Sequence, residues 1–385
     1  MQVTQIYKLV NDVTSEVLGK QDLLQEDLSN LVDVGTELFN ANAVDNYVKT
    51  LVDHIGRVVF IDRVYSGRAP KVLMDGWEYG SVLEKIQAET PTATENESWE
   101  LNDGTSYDPN IFTGPKVSVK FFNKKVAFEI PMSFTEMQVK ESFSNATQLN
   151  GFISMIYNAI NRSMTIKTDG LIMRTINNMI GETLYNFDNA GTYTGKTGNR
   201  VINLLKLYTD ETGDSTVTAT NYMSKPDFIR FATYKMALYI DRLKVVSSLF
   251  NIGGKDRFTP SDLLHFVVLN DFDKASAIFL QSNTYHDQLV KLPNYETIAY
   301  WQGSGTDYAL NKISGIDIKT AEGHAVKTSG VLGVMFDRDA LGVCNQNPRV
   351  TSNYNPKAEF YNEWHKWDAQ YFNDFNENFI VFIVA

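Results

Sequence analysis

The sequence predicts an α+β protein, and three stretches carry that prediction. Apolar residues recur at helical spacing from Leu149 to Ile180. Short runs of β-branched and aromatic residues, Val117–Phe121 and Val126–Ile130, alternate with polar ones as in strands. Six apolar residues in succession, Phe379 to Val384, have the pattern of a strand buried on both faces.

The first 40 residues predict two short amphipathic helices. Ile6, Leu9, Val10, Val13 and Val17 repeat at helical spacing before Gly19, and Leu23, Leu24, Leu28, Leu31 and Val32 do so before Gly35. Neither is long enough to stand alone, so both need a surface to lie on. Val58–Ile61 predicts a strand. The next strands are expected at Val117–Phe121 and Val126–Ile130, after about 50 residues rich in Gly, Pro, Asn and Thr. Connections of that length are usually functional or reach outward. Charge is sorted along it: residues 86–115 hold six acids (Glu89, Glu95, Glu97, Glu100, Asp103, Asp108) and no base, and Lys116, Lys120, Lys124 and Lys125 follow without an acid. A solvated loop beside a solvated strand explains this. So does an arm whose acidic part meets basic residues of a neighbour.

From about 147 to 180 an unbroken helix would span roughly 50 Å. Ser144, Asn145 and Thr147 are cap candidates, Gly170 a kink candidate and Gly181 a stop. Residues 183–222 read mostly as loop around one apolar run, Val201–Leu207. A helix follows Pro226, then a strand at Leu263–Leu269, a helix near Asp273–Asn283, and short strands at Ile298–Trp301, Ile316–Ile318 and Val331–Phe336. The stretch from Glu359 onward is dense in aromatics. Asn373–Asn378 is a turn-rich lead into the terminal strand, which must pair with residues distant in sequence.

Composition excludes several classes. With 385 residues, 43% apolar, a large core is available and disorder is not expected. The net charge of −11 argues against a general nucleic-acid binder. One cysteine, Cys344, allows no internal disulfide, and neither a signal peptide nor a membrane-spanning run is visible.

Motifs for chemistry fail in context. Ala190-Gly-Thr-Tyr-Thr-Gly-Lys-Thr197 matches a loose phosphate-binding loop, with Lys196 and Thr197 in the phosphate and magnesium roles. Such a loop must follow a buried strand and open a helix, whereas this one trails off a helix into Gly198-Asn199. The five histidines are scattered. Asp271-Phe-Asp273 and Asp337-Arg-Asp339 lack the Gly and distal Glu of a calcium loop. Gly303-Ser-Gly305 is a turn rather than a nucleophile elbow. No catalytic set, cofactor site or metal site is expected, and nucleotide hydrolysis through 190–197 stands as the enzymatic alternative.

The order of segments resembles the major capsid proteins of tailed bacteriophages, the Hong Kong 97 type fold. Leu51-Val-Asp-His-Ile-Gly-Arg-Val-Val59, Leu73-Met-Asp-Gly-Trp-Glu-Tyr-Gly80 with Val82-Leu-Glu-Lys-Ile86, and Phe121-Phe-Asn-Lys-Lys125 with Phe128-Glu-Ile-Pro131 are similar to capsid proteins of phages and prophages of Gram-positive bacteria. Gly151-Phe-Ile-Ser-Met-Ile-Tyr-Asn-Ala-Ile160 is similar to their spine helix. The resemblance implies an N-terminal arm at 1–48 and an extended β-hairpin loop at 57–130 lying across an adjacent subunit. It also implies a peripheral domain with the spine helix from 49–56, 131–189 and 352–385, and an axial domain at 190–351. It implies no enzyme but a shell protein that assembles into hexamers and pentamers around double-stranded DNA without reading its sequence. A separate scaffolding protein and a portal are the implied partners, and no membrane. The setting is the phage head, assembled in the cytoplasm of the host. The acidic surplus suits a shell whose wall must not hold packed DNA. A long N-terminal scaffolding segment and a C-terminal immunoglobulin-like domain, found in some relatives, are expected to be absent. Lys71 or Lys85 with Asn353 or Asn355 match a covalent cross-link by residue type alone. Candidate intersubunit contacts are Glu95, Glu97 and Glu100 against Lys120, Lys124 and Lys125 or Arg57, Arg63 and Arg68. A bacterial nanocompartment shell of the same fold is the alternative.

Overall fold

The computed structural model describes residues 66–74, 82–95, 103–104, 110–135, 146–188, 191–281, 295–301, 315–320 and 322–385. The expected N-terminal helices and the strand at 58–61 lie outside them. The chain divides into two compact units. The larger holds the described residues within 66–129, 163–349 and 366–385, and the smaller those within 130–162 and 350–365.

The larger unit is built on a five-stranded sheet in the order β4 (Val201–Asn203), β12 (Phe379–Ile383), β9 (Val331–Asp337), β5 (Leu264–Leu269), β6 (Glu296–Ile298). β12 runs parallel to β4 and antiparallel to β9. β5 is antiparallel to β9 and parallel to β6. Register aligns Val201, Val381, Val334 and Val267 in one row across four strands. Alternation divides the apolar run of β12 between two cores. Phe379, Val381 and Ile383 face a core shared with Leu171, Ile176, Met179 and Ile180 of the long helix. Ile380, Phe382 and Val384 face a second core with Phe228, Met236 and Tyr239. The predicted terminal strand is therefore buried on both sides, as six successive apolar residues require. Its partners come from 201–203 and 331–337, within the stretch that the resemblance assigns to 190–351.

The long helix α1 spans Ala146–Asp188, 43 residues or about 65 Å at the usual rise. It runs through Gly170 and through Gly181, which the sequence suggests as a stop. The reason is packing. A β-carbon on Gly181 would lie 2.8 Å from Ile318 Cδ1 and 3.0 Å from Thr320 Cγ2, so glycine here lets β7 (Gly315–Lys319) approach the helix. Two buried threonines of the helix bond locally: the Thr175 hydroxyl donates to the Leu171 carbonyl at 2.8 Å, and Thr183 to Met179 at 2.7 Å.

Residues 183–222, expected to be mostly loop, are more ordered than that. They contain the end of α1, β4, helix α2 (Leu204–Thr212) and the start of a 3₁₀ turn at Tyr222–Ser224. Asn203 caps α2 by accepting the Lys206 N–H, and Gly213 ends it with φ 72°. Helix α3 (Pro226–Leu243) starts at its proline, as predicted, and α4 (Asn270–Gln281) follows β5 directly. Strands β7 and β8 (Ala325–Ser329) form an antiparallel pair, of which the sequence pattern signals only β7.

β3 (Lys125–Thr135), β10 (Leu341–Asn355) and β11 (Phe360–Asn373) form a sheet in the order β10-β11-β3. Within the larger unit Phe128 stacks on Trp367 with ring centres 5.0 Å apart. Within the smaller unit Tyr354 packs on Tyr361 at 4.6 Å, and the Ser133 hydroxyl donates to Asn362 at 2.6 Å.

Candidate functional site

The charge-sorted stretch contains a two-stranded antiparallel ribbon, β1 (Leu83–Ala88) and β2 (Val117–Phe122). Side chains alternate across such a ribbon, so Leu83, Lys85, Gln87, Ser118, Lys120 and Phe122 share one face. Glu84, Ile86, Ala88, Val117, Val119 and Phe121 share the other.

The first of these faces lies against its own chain, where Phe122 packs on Phe372 with ring centres 5.2 Å apart. Lys85 Nζ is 2.8 Å from Asp374 Oδ2 and 3.5 Å from Glu377 Oε1, and it donates to the Asp339 carbonyl at 3.0 Å. Lys120 Nζ is 2.8 Å from the other oxygen, Asp374 Oδ1. Gln87 donates to Glu377 and accepts from Arg257, and Lys255 pairs with Glu89 at 2.6 Å. Burial pushes the Asp374 carboxyl up. The hydrogen bonds from Lys120 and Lys85 outweigh it and hold the group below the ordinary carboxylate value. Asp374 is itself fixed by the turn into β12: its N–H donates to the Ala340 carbonyl at 2.7 Å, and its Oδ1 accepts the Asn376 N–H at 3.1 Å. That turn is the one the sequence predicts at 373–378.

The other face, apolar except for Glu84, is exposed. Ile86 is 64% accessible, Phe121 65%, and Val117 and Val119 about half. On the connection between the strands Ile111 and Phe112 are exposed as well.

Of the predicted contact residues, Lys120 is bonded to Asp374 as above. Lys125 pairs with Asp368 at 3.3 Å, a carboxylate that Arg349 also grips through two guanidinium nitrogens at 3.1 and 3.3 Å. The Arg349 hydrogen bonds hold Asp368 below the ordinary value against its burial. Lys124, Arg68 and Glu95 are exposed, and the Arg68 N–H donates to Asp169 at 2.9 Å. Glu97, Glu100, Arg57 and Arg63 lie outside the described residues. Sequence reasoning does not link Lys85 and Lys120 to Asp374. The separations are 289 and 254 residues, and no local signal spans them.

The phosphate-loop motif is used otherwise. Residues 191–197 follow α1 rather than a strand, and Lys196 Nζ is 3.2 Å from the buried Asp188 carboxylate. Asp188 also accepts the N–H and the hydroxyl of Thr194, both at 2.7 Å. Lys196 and Thr194 are thus engaged by a carboxylate of their own chain. His324 stacks on Tyr185 with centres 3.8 Å apart and sets Nδ1 3.2 Å from Glu182, tying the β7–β8 connection to α1. Cys344 is buried. Among the described residues no three His, Cys, Asp or Glu side chains are placed to hold a metal, and no helix is long and apolar enough to cross a membrane.

The family model of the Phi29-like phage major capsid protein matches residues 10–383. The chain belongs to this family. The capsid structure of Staphylococcus phage Andhra is similar to this capsid protein over 86% of its chain and 87% of the other, with a TM-score of 0.54 and 9% identity. The structure of the head fibre and inner core protein of native bacteriophage P68 is similar over 86% and 88%, with a TM-score of 0.52 and 9% identity. At that identity the likeness is one of fold. No curated protein matches the sequence. The α+β capsid fold expected from the sequence is thus the fold of this capsid protein. The match is to a phage capsid family, and nothing favours the nanocompartment alternative.

Proposed function

We propose that this capsid protein forms the head shell as hexamers and pentamers of itself, closing around double-stranded DNA that it does not read by sequence. The observation that carries this reading is the family match across residues 10–383. The net charge of −11 supports it, since an acidic wall leaves packed DNA free to move. A separate scaffolding protein and a portal complete the partners, and assembly takes place in the host cytoplasm. The protein is structural rather than enzymatic, and the Asp188–Lys196 pairing supports that.

The extended loop reaches an adjacent copy. Glu95, Glu97 and Glu100 are offered to cationic residues there, with Lys124, Arg57, Arg63 and Arg68 the first choices. Lys120 and Lys125 belong to the same set, although each also has a carboxylate partner in its own chain. Exposed pairs contribute about 0–1 kcal/mol each, so only repetition over many copies gives them weight.

Electron microscopy of the purified, concentrated protein tests the reading. Closed shells, or rings of five and six subunits, are the expected result. A strictly monomeric species in every condition, with no rise in light scattering, overturns it.

A further inference from the structure

Away from the ribbon, a cleft of about 280 Å³ opens between the end of α1, the turn before β4 and the loop at 248–254. Its walls are fixed by backbone. The Arg200 carbonyl accepts the Val381 N–H at 2.8 Å, the Phe250 carbonyl accepts the Phe379 N–H at 2.9 Å, and the Gly253 N–H donates to the Phe375 carbonyl at 2.8 Å. Both bends need glycine: a β-carbon on Gly198 would collide with the Phe187 ring, and one on Gly253 with the Asn376 side chain. The cation in this cleft has no counter-charge. Arg200 is half-buried, and its Nη1 donates to the Asn251 carbonyl at 2.9 Å. Its Nε and Nη2 have no partner among the described residues, and no carboxylate lines the cleft. Withdrawal from water pulls the Arg200 pKa below its ordinary value. A guanidinium in that position ordinarily meets an oxyanion, which its planar fork grips with two parallel bonds. The Asn251 side chain is not available for that role, since its Nδ2 donates to the Lys255 carbonyl at 2.6 Å and its Oδ1 accepts the Lys255 N–H at 2.8 Å.

We propose that this cleft binds a carboxylate carried on a short apolar body, with Arg200 gripping the carboxylate and Phe187, Leu249 and Ile252 covering the body. Those three side chains make the rest of the lining largely apolar, and Leu249 is 54% accessible with nothing of its own chain over it. A phosphate is polar on every side and would leave them uncovered, so of the two anions that suit a guanidinium fork the carboxylate fits better. Exposed Asn199 and Ser248, also in the lining, add an amide and a hydroxyl donor. The same chemistry has two sources, a free small acid and the side chain of a glutamate on a peptide. The site is independent of shell assembly, and its failure would leave the shell reading as it stands.

Calorimetric titration of the purified protein with butyrate is the test. Butylamine serves as the control for the apolar body and inorganic phosphate as the control for the charge. The expected result is saturable binding of butyrate, no binding of butylamine, and binding of phosphate about tenfold weaker or less. Arg200→Gln keeps a donor for the Asn251 carbonyl and removes the charge, and it should weaken butyrate binding about tenfold or more. No saturable binding of butyrate or of the peptide below by the wild type, unchanged binding by the variant, or phosphate as tight as butyrate overturns the inference. If Arg200→Gln does not fold, Leu249→Glu takes its place. It changes an exposed side chain and sets a carboxylate of the chain's own in the cleft with Arg200. Loss of butyrate binding then supports the inference, and unchanged binding overturns it. A capped Ala-Glu-Ala peptide, titrated beside butyrate, separates the two sources. Binding of either supports the inference, and the tighter of the two names the source.

Discussion

Lys85 and Lys120 stand directly opposite each other across the β1–β2 ribbon, and each places its ammonium 2.8 Å from a different oxygen of the Asp374 carboxylate. Two like charges in that position destabilise a ribbon unless an anion lies between them. Asp374 supplies the anion from the turn into β12, and so it decides both the stability of the ribbon and its attachment.

Asp374→Asn should therefore cost about 2–4 kcal/mol, since it removes the charged partner of two ammonium groups at a buried position. Chemical denaturation checks this, and a loss below about 1 kcal/mol would show that the clamp carries little. The pH dependence follows from the same contact. The folded carboxyl is held below its ordinary value of 3.8, so the stability it contributes is present above that value and is lost as the pH falls below it. The variant should show a shallower loss of stability on the acid side than the wild type.

The terminal strand should be indispensable to folding. Phe382 is buried, with its ring 5.7 Å from Tyr239 and 6.4 Å from Phe266. Phe382→Ala should cost about 3–5 kcal/mol. Removal of residues 379–385 takes out an interior strand and should give insoluble protein. A soluble, cooperatively melting product would show that the sheet tolerates the gap.

Gly330 joins β8 to β9 with φ 81°, and a β-carbon there would lie 2.2 Å from the Val384 carbonyl oxygen. The same strand end is tied back by the Val384 N–H, which donates to the Gly330 carbonyl at 2.9 Å. Neither backbone can yield easily. Gly330→Ala should cost about 3 kcal/mol or more, combining the left-handed penalty with displacement of the strand end. Denaturation of the purified variant measures it, and a change under about 1 kcal/mol would rule the close approach out.

Lys196→Ala should leave the protein without any altered nucleotide chemistry, because its ammonium is engaged with Asp188. A sensitive phosphate-release assay on both proteins should read background. Turnover in the wild type that this substitution abolishes would restore the phosphate-loop reading.

How much the sequence discloses depends on whether local pattern and tertiary environment agree. They agree in β12, where a run apolar at every position is buried on both faces, and in α3, where Pro226 opens the helix. In β1 they disagree. Lys85 and Gln87 point inward and Ile86 outward, so the usual rule of apolar-in reads the strand as loop. Gly181 follows the rule for a helix stop, yet contact with Ile318 overrides it. Helix α2 does carry its signals, an Asn203 cap and a closing Gly213, but the polar surroundings hide them. Of the candidate contacts, charge sorting along 86–125 is visible in the sequence. The destination of Lys120 and Lys125 is not, because Asp374 and Asp368 arrive from the far end of the chain.

The position of β12 sets an order of events during synthesis. Its neighbours β4 and β9 leave the ribosome first, and between them a slot remains open until residues 379–383 emerge. Until then both cores lack a wall, and Asp374 has only just appeared to receive Lys85 and Lys120. A chain interrupted before this point can offer neither a closed sheet nor a correctly facing ribbon.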